Sequence, residues 1–527
     1  MNKRMSKKLE LTMVSPANRV ITLPANLPAL TLVTFITIFV ALRIWHIAAY
    51  SLGGGEAFAM IGAKQDWNGM FSYIVADIVH PPLFYVVLKL WVLIGGESLP
   101  WLKLFAVLFG IAMVVPFLLL SRELNLQLPV INLAILLMAM NGYLIHYAQE
   151  LRMYSMFAFL ALCSFWLFIR YFKIPNNDFR SLFILTIVNL LTIYTHYFGW
   201  LVVCFEFLFL LIWRRKVLAF GLSIIALLIL FSPWAYLVIQ EARSIGGLER
   251  NLDWVPKPRL VDILDYYFTL NGPIGSHYIQ LAGFLLFGLP LLPWLINIVR
   301  SGRQDSVSED AIMFSWLVFL SFGPVMLMFL VSQKLEQAIW IDRYFIFIAV
   351  PYLLLISAAV YRLEPKWVRT IYVVLIAVWT IFAGINDLRT NRMAWTGAQL
   401  GSRVDWDALA LQMEIAEPES DYPVKVYTLP VVSRGVTSGY WTIATSLDYY
   451  LDLRNDARFE MVWVRNNDAL INKVEEDHFW VAYFYIVDSP QPAPDQLLQE
   501  NGYRLGDKII FRQLGNRFVL LPVWKNQ

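Results

Sequence analysis

Ionisable side chains stand at the mouths of long apolar runs in four separate stretches of the sequence. The first, SLGGGEAFAMIGAKQDWNGMFSYIVADIVHPPLFY, carries Glu56, Asp66, Asp77 and His80. HYAQELRMY, from His146 to Tyr154, contains Arg152; YTHYFGW, from Tyr194 to Trp200, contains His196; WIDRYF, from Trp340 to Phe345, contains Arg343. Carboxylates in such places can take up a proton, while guanidinium and imidazole groups can hold an anion. Charge at a membrane border is expensive, which makes each of these residues a functional candidate.

Each also has a plainer role. Glu150 and Arg152, like Asp342 and Arg343, are close enough in sequence to form a local anchoring pair, and His196 alone at the end of an apolar run reads equally well as a border residue. Tyr194, Tyr197, Trp200 and Trp340 fit the aromatic belt of a bilayer interface. Glu206 and Glu241 read either as helix-border residues or as part of a binding pocket. Asp448, Tyr449 and Tyr450 fit the small core of a C-terminal domain.

The elements that must position these groups are membrane helices. Of the 527 residues 58% are hydrophobic and only 15% charged, with mean hydropathy +0.57, against about a quarter charged in soluble domains. Disordered, nucleic-acid-binding and disulfide-rich secreted classes are excluded. Cys163 and Cys204 lie inside apolar runs as small hydrophobes. The net charge of +3 says little about partners.

The pattern predicts a polytopic α-helical membrane protein of about 11 spans: 28–50, 101–120, 128–147, 153–172, 181–198, 199–213, 217–239, 278–299, 312–332, 340–361 and 367–385. Residues 1–27, with Lys3, Arg4, Lys7 and Lys8, form a cytoplasmic tail before an uncleaved signal anchor; 28–385 is the membrane domain, with an outer loop at 51–100. The apolar stretch His80–Gly95 is short and is taken as interfacial, because twelve Lys/Arg then fall in the short inner loops against three in the outer ones. An odd number of spans places 386–527 outside. There β-like segments (424–432, 459–464, 479–487, 508–513, 518–523) and helical patterns near 406–415 and 468–474 predict a small α/β domain.

In order, SLGGGEAFA, DIVHPPLFY, YAQELRMYS, YTHYFGW and DRYF resemble the bacterial branch of the polyprenyl-phosphate-dependent GT-C glycosyltransferases, related to protein O-mannosyltransferases and the aminoarabinose transferase of lipid A. The resemblance covers the first 390 residues or so well and the tail loosely. It implies inverting transfer of a sugar from a polyprenyl-phosphate donor to a lipid, glycan or protein acceptor, at the outer face of a bacterial inner (plasma) membrane, with no nucleic acid involved. In that chemistry Glu56, or else Asp77 or Asp66, takes the acceptor's proton. Arg152, Arg343, His80 and His196 bind the donor, with Tyr154 beside them. Pro81 and Pro82 restrict the backbone at His80 and orient it. The aromatic-rich segments His80–Gly95 and Tyr266–Leu270 lie along the outer surface beside the lipid tail.

The family's Asp-Glu pair in the first loop is Gly55-Glu56 in this chain. Three outcomes follow: Glu56 serves as base, another carboxylate reaches the acceptor, or the chain is an inactive homologue or scaffold. A transporter fits less well, since the polar groups gather at one face and no repeat is seen. No cofactor is implied. A divalent ion on Glu56, Asp77 and His80 is chemically compatible, but their spacing matches no dedicated metal motif.

Overall fold

The computed structural model describes residues 11–14, 20–23, 27–49, 51–175, 178–244, 255–301, 309–390, 404–417, 423–429, 431–433, 436–438, 440–454, 456, 458–464, 466–485, 493–513 and 516–526. Lys3, Arg4, Lys7, Lys8, Arg250 and Arg303 lie outside the described residues. Within the expected tail, β1 (Leu11–Val14) pairs antiparallel with β2 (Val20–Leu23).

Twelve helices bring the chain through its first half: α1 (Leu27–Ile44), α2 (Gly54–Lys64), α3 (Trp67–Asp77), α4 (Leu83–Gly95), α5 (Leu99–Ala112), α6 (Val114–Glu123), α7 (Leu128–Met140), α8 (Gly142–Gln149), α9 (Tyr154–Lys173), α10 (Phe179–Thr195), α11 (Gly199–Trp213) and α12 (Val217–Ser244). Further helices cover Leu260–Leu270, His277–Gly288, Leu291–Ser301, Glu309–Lys334, Ile346–Tyr361 and Lys366–Thr390. Among the described residues eight segments are long and apolar enough to cross a membrane, or nine if α7 and α8, bent by 59°, count as one span. The other two predicted spans are α10 and α11, of 17 and 15 residues, and therefore about 25 and 22 Å long against a hydrocarbon core of about 30 Å.

α4 has 13 residues, roughly 20 Å, which is too short to cross. It buries Phe84, Tyr85 and Leu88 and exposes Leu90, Leu93 and Ile94. Trp91 of α4 stacks on Trp101 of α5 at 4.1 Å, and each indole N–H donates to the other residue's carbonyl. The segment Tyr266–Leu270, expected along the outer surface, is instead buried. The Tyr266 hydroxyl donates to the Phe345 carbonyl and that of Tyr267 to Ser321, because the helix Leu260–Leu270 turns its aromatic face onto the span 342–361 and the helix Glu309–Lys334.

The α7–α8 break is built by Asn141, which caps α8 through Leu144 N–H at 2.9 Å while its amide donates to the Leu270 carbonyl. Glycine follows, and a Cβ on Gly142 would fall 2.3 Å from Asp387 Oδ2, so a larger residue there would have to displace the Asp387 carboxylate. This redirection delivers residues 150–153 to the same end of the bundle as α2 and the C-terminus of α10.

At the opposite end the helix termini are basic and locally paired. Lys173 Nζ donates to the Glu123 carbonyl at 2.5 Å, and Arg362 Nε to Asp310 at 3.0 Å.

The C-terminal domain is a six-stranded mixed sheet in the order β6-β3-β7-β10-β8, with β9 also on β10. Its strands are β3 (Val424–Thr428), β6 (Phe459–Trp463), β7 (His478–Tyr485), β8 (Tyr503–Leu505), β9 (Ile509–Gln513) and β10 (Asn516–Lys525), and β4 (Val431–Ser433) and β5 (Val436–Ser438) pair separately. β3 runs parallel to β6 and β7, and β10 antiparallel to β7. The expected helices are Trp406–Ala416 and Asn467–Lys473. Tyr440–Leu453 adds one that the sequence reading did not isolate.

That helix docks on α2. The Leu52 N–H donates to the Tyr450 hydroxyl at 2.8 Å, Lys64 pairs with Asp452 at 3.1 Å, and Ser51 Oγ donates to Asp405 at 3.1 Å. Asp448, Tyr449 and Tyr450 were expected to close a small domain core; Tyr449 and Tyr450 instead form part of this contact, Tyr449 reaching Glu97 at 3.5 Å. Tyr450→Phe removes the acceptor of a buried N–H and is expected to cost about 1–3 kcal/mol. Thermal unfolding in detergent measures it, and an unchanged midpoint would show that the contact does not hold the domain.

Candidate active site

Glu56 occupies the third position of α2 and is buried. Its Oε2 accepts from Gly53 N–H at 2.9 Å; Oε1 accepts from Leu151 N–H at 2.6 Å and from the buried Lys103 ammonium of α5. Three donors from three segments thus take up one carboxylate.

Arg152 follows directly in space. Its Nη1 donates to the Gly55 carbonyl at 2.7 Å and its Nη2 to His80 Nε2 at 3.0 Å. Guanidinium can only donate, so His80 Nε2 accepts and the ring proton sits on Nδ1, donating to Asp77 Oδ2 at 2.5 Å. Burial, opposed by the Asp77 charge and reinforced by Arg152, holds the His80 pKa below its ordinary value, in agreement with this neutral tautomer. The turn that brings His80 back onto Asp77 runs through Ile78, a β-branched residue at φ 52°. Such a conformation costs on the order of 1–3 kcal/mol and persists only where packing enforces it. Ile78 is buried, and its carbonyl accepts from Tyr197.

His196 caps the C-terminus of α10. Its Nδ1 accepts from Phe198 N–H at 3.1 Å; the ring stacks on Phe157 at 4.9 Å and meets Tyr344 edge-on at 4.6 Å. Tyr154 begins α9 between Tyr147 and Tyr344, with the Arg343 guanidinium 5.9 Å from its ring centroid. Seven of the eight candidates from the sequence, Glu56, Asp77, His80, Arg152, Tyr154, His196 and Arg343, therefore meet in one region at one end of the bundle.

Asp66 does not join them. It is exposed and caps α3, accepting from Gly69 N–H at 2.7 Å. The metal shell of Glu56, Asp77 and His80 does not assemble either. Among the described residues no three His, Cys, Asp or Glu side chains gather to hold an ion, because Lys103 and backbone donors fill Glu56 while Arg152 takes His80 Nε2.

Two residues escaped the sequence reading. Lys103 was signalled by a lone cation inside the apolar run LPWLKLFAV. Glu150 was read only as an anchor for Arg152. In the structure it is chiefly burial, and then the neighbouring Glu56, that push its pKa up to about 7, and its Oε2 is buried without a hydrogen-bond donor.

Lys103→Met leaves Glu56 buried without its cation and is expected to cost about 3–5 kcal/mol, most of it recovered in the double variant with Glu56→Gln. Detergent unfolding midpoints test this, and additive losses would contradict it. Glu150 holds its proton more tightly folded than unfolded. Its contribution to stability is therefore present at low pH and lost as pH rises from 4.5 through about 7. Glu150→Gln should flatten the fall in unfolding temperature across that window; an unchanged profile would remove Glu150 as its source.

No family model matches the chain, and no curated protein is significantly similar to it in sequence. Solved structures are similar in fold. The crystal structure of ArnT from Cupriavidus metallidurans in the apo state superposes with a TM-score of 0.54 at 13% identity, covering 93% of this chain and 97% of that one. The same protein bound to undecaprenyl phosphate gives 0.53 at 12% over the same shares. The archaeal oligosaccharyltransferase AglB from Archaeoglobus fulgidus, in complex with an inhibitory peptide and a dolichol-phosphate, gives 0.48 at 11%, covering 94% and 74%. Over nearly its whole length the chain shares the fold of ArnT.

Proposed function

We propose that the chain is a membrane glycosyltransferase that moves a sugar from a polyprenyl-phosphate donor to an acceptor hydroxyl by inverting displacement. The observation carrying this reading is the meeting of Asp77, a neutral His80 and the guanidinium groups of Arg152 and Arg343 at one end of an apolar bundle. The fold is also that of ArnT, a protein crystallised with undecaprenyl phosphate.

Asp77 is the base in this reading. Its carboxylate accepts the acceptor hydroxyl's proton as that oxygen attacks the anomeric carbon. The bond from that carbon to the phosphate oxygen breaks, and the polyprenyl phosphate leaves with its charge on Arg152 and Arg343. Glu56, expected first for this task, spends both oxygens on three donors and serves to place Gly55 and Leu151. His80 holds Arg152 in register without competing for the phosphate. His196 and Tyr154 form the neutral wall beside it.

Gly55 leaves room rather than a carboxylate. A Cβ there would lie 3.6 Å from Arg152 Cδ and Nε, an ordinary contact.

The site and the C-terminal domain face the extracytoplasmic side of a bacterial plasma membrane in this proposal. The support is the lysines and arginines at the other ends of the helices, from Arg122 to Arg369. The lipid tail reaches the site from the bilayer, and the acceptor, whether lipid, glycan or protein, comes from the side of the C-terminal domain.

A second reading, a homologue without transfer activity, rests on Gly55. Polyprenyl-phosphate release from membranes given a panel of lipid-linked sugars separates the two. The wild-type chain should release it, and Asp77→Asn should lower the rate by about 10²–10⁴-fold with expression intact. No release from any donor favours the inactive homologue, and an unchanged rate in Asp77→Asn removes Asp77 as base. Gly55→Asp should fold and give no gain; a rise of about tenfold or more would move the base to position 55.

A further inference from the structure

Glu206 is fully buried midway along α11, and the site does not use it. Ser164 Oγ of α9 lies 2.5 Å from Asn189 Oδ1 of α10 and 2.6 Å from Glu206 Oε1, while Asn189 Nδ2 lies 2.8 Å from Glu206 Oε2. Three side chains on three helices thus close a ring of three contacts, each needing one hydrogen.

The Ser164 hydroxyl supplies one hydrogen, and the Asn189 amide supplies one at whichever of its two contacts the nitrogen faces. Exchanging the amide oxygen and nitrogen moves that hydrogen without adding another. The third must come from Glu206. An ionised carboxylate would leave two hydrogen-free oxygens facing each other at hydrogen-bond distance, and among the described residues no salt bridge reaches Glu206 to offset its burial.

We infer that Glu206 is held as the neutral carboxylic acid, and that its ring with Ser164 and Asn189 is a positioning device that sets α9 and α10 so that Tyr154 and His196 face each other at the site. Ser164 follows Tyr154 by ten residues along α9, and Asn189 precedes His196 by seven, so the ring lies some 10–15 Å from the residues it aligns. One residue of slip between the helices shifts them by about 1.5 Å, enough to unseat the Phe157–His196 stack.

The positioning half rests on the transferase reading; the protonation half does not. The test uses the full chain in lipid nanodiscs. The infrared difference between wild type and Glu206→Gln at neutral pH should show a protonated-carboxyl C=O band and no carboxylate bands. Glutamine offers the same donor and acceptor as the neutral acid, so Glu206→Gln should keep the wild-type unfolding midpoint and release rate. Glu206→Ala should lose rate by about 10²-fold. Carboxylate bands in the difference spectrum, or a Glu206→Gln variant as damaged as Glu206→Ala, would overturn the inference. Absence of release in the wild type would defeat the transferase reading while leaving the infrared result intact.

Discussion

A buried carboxylate at the start of α2 governs the geometry of everything around it. Glu56 draws together the Lys103 ammonium of α5, the Leu151 N–H and the Gly53 N–H. Each donor comes from a different segment, so the position of α2 relative to α5 and to the loop before α9 is fixed by one group. In an apolar bundle such a pair persists only because its remaining hydrogen-bonding capacity is filled. Once α2 is placed, the Gly55 carbonyl receives Arg152, Arg152 fixes the tautomer of His80, and His80 reaches Asp77. The domain beyond the bundle grips the same helix from the other side through Tyr450 and Asp452.

Electrostatically this arrangement concentrates positive charge where an anion can use it. His80 Nε2 accepts from Arg152 and His196 Nδ1 from the Phe198 N–H, as neutral rings do, so the cations of the region are Arg152, Arg343 and Lys103, the last paired with Glu56. Glu150, pushed up to about 7, moderates that charge near neutral pH. The space at Gly55 lies against Arg152, where an aspartate would pair with the guanidinium.

Much of this was legible in the sequence, because the chemistry-bearing residues stand at the ends of apolar runs and membrane helices bring alternate ends together. Loop charge, together with its short length, was the ground for reading His80–Gly95 as a helix that does not cross, and the helix there runs only from Leu83 to Gly95. Most strands of the C-terminal sheet followed from alternation and β-branched content. What stayed hidden depends on tertiary approach. The Lys103–Glu56 pair links residues far apart in sequence, Asp66 became a cap because α3 begins beside it, and Tyr266 turned inward because its hydroxyl finds the Phe345 carbonyl. Helix α11 keeps the predicted bounds 199–213, whereas α10 ends at Thr195 rather than at 198 because the chain leaves the helix at His196.

The most direct measurement is an experimental structure of the chain with undecaprenyl phosphate bound. The account predicts the phosphate within hydrogen-bond reach, about 3 Å, of both Arg152 and Arg343, with Asp77 on the side open to an acceptor. A phosphate seated at the basic end of the bundle, near Lys173 and Arg362, would contradict it.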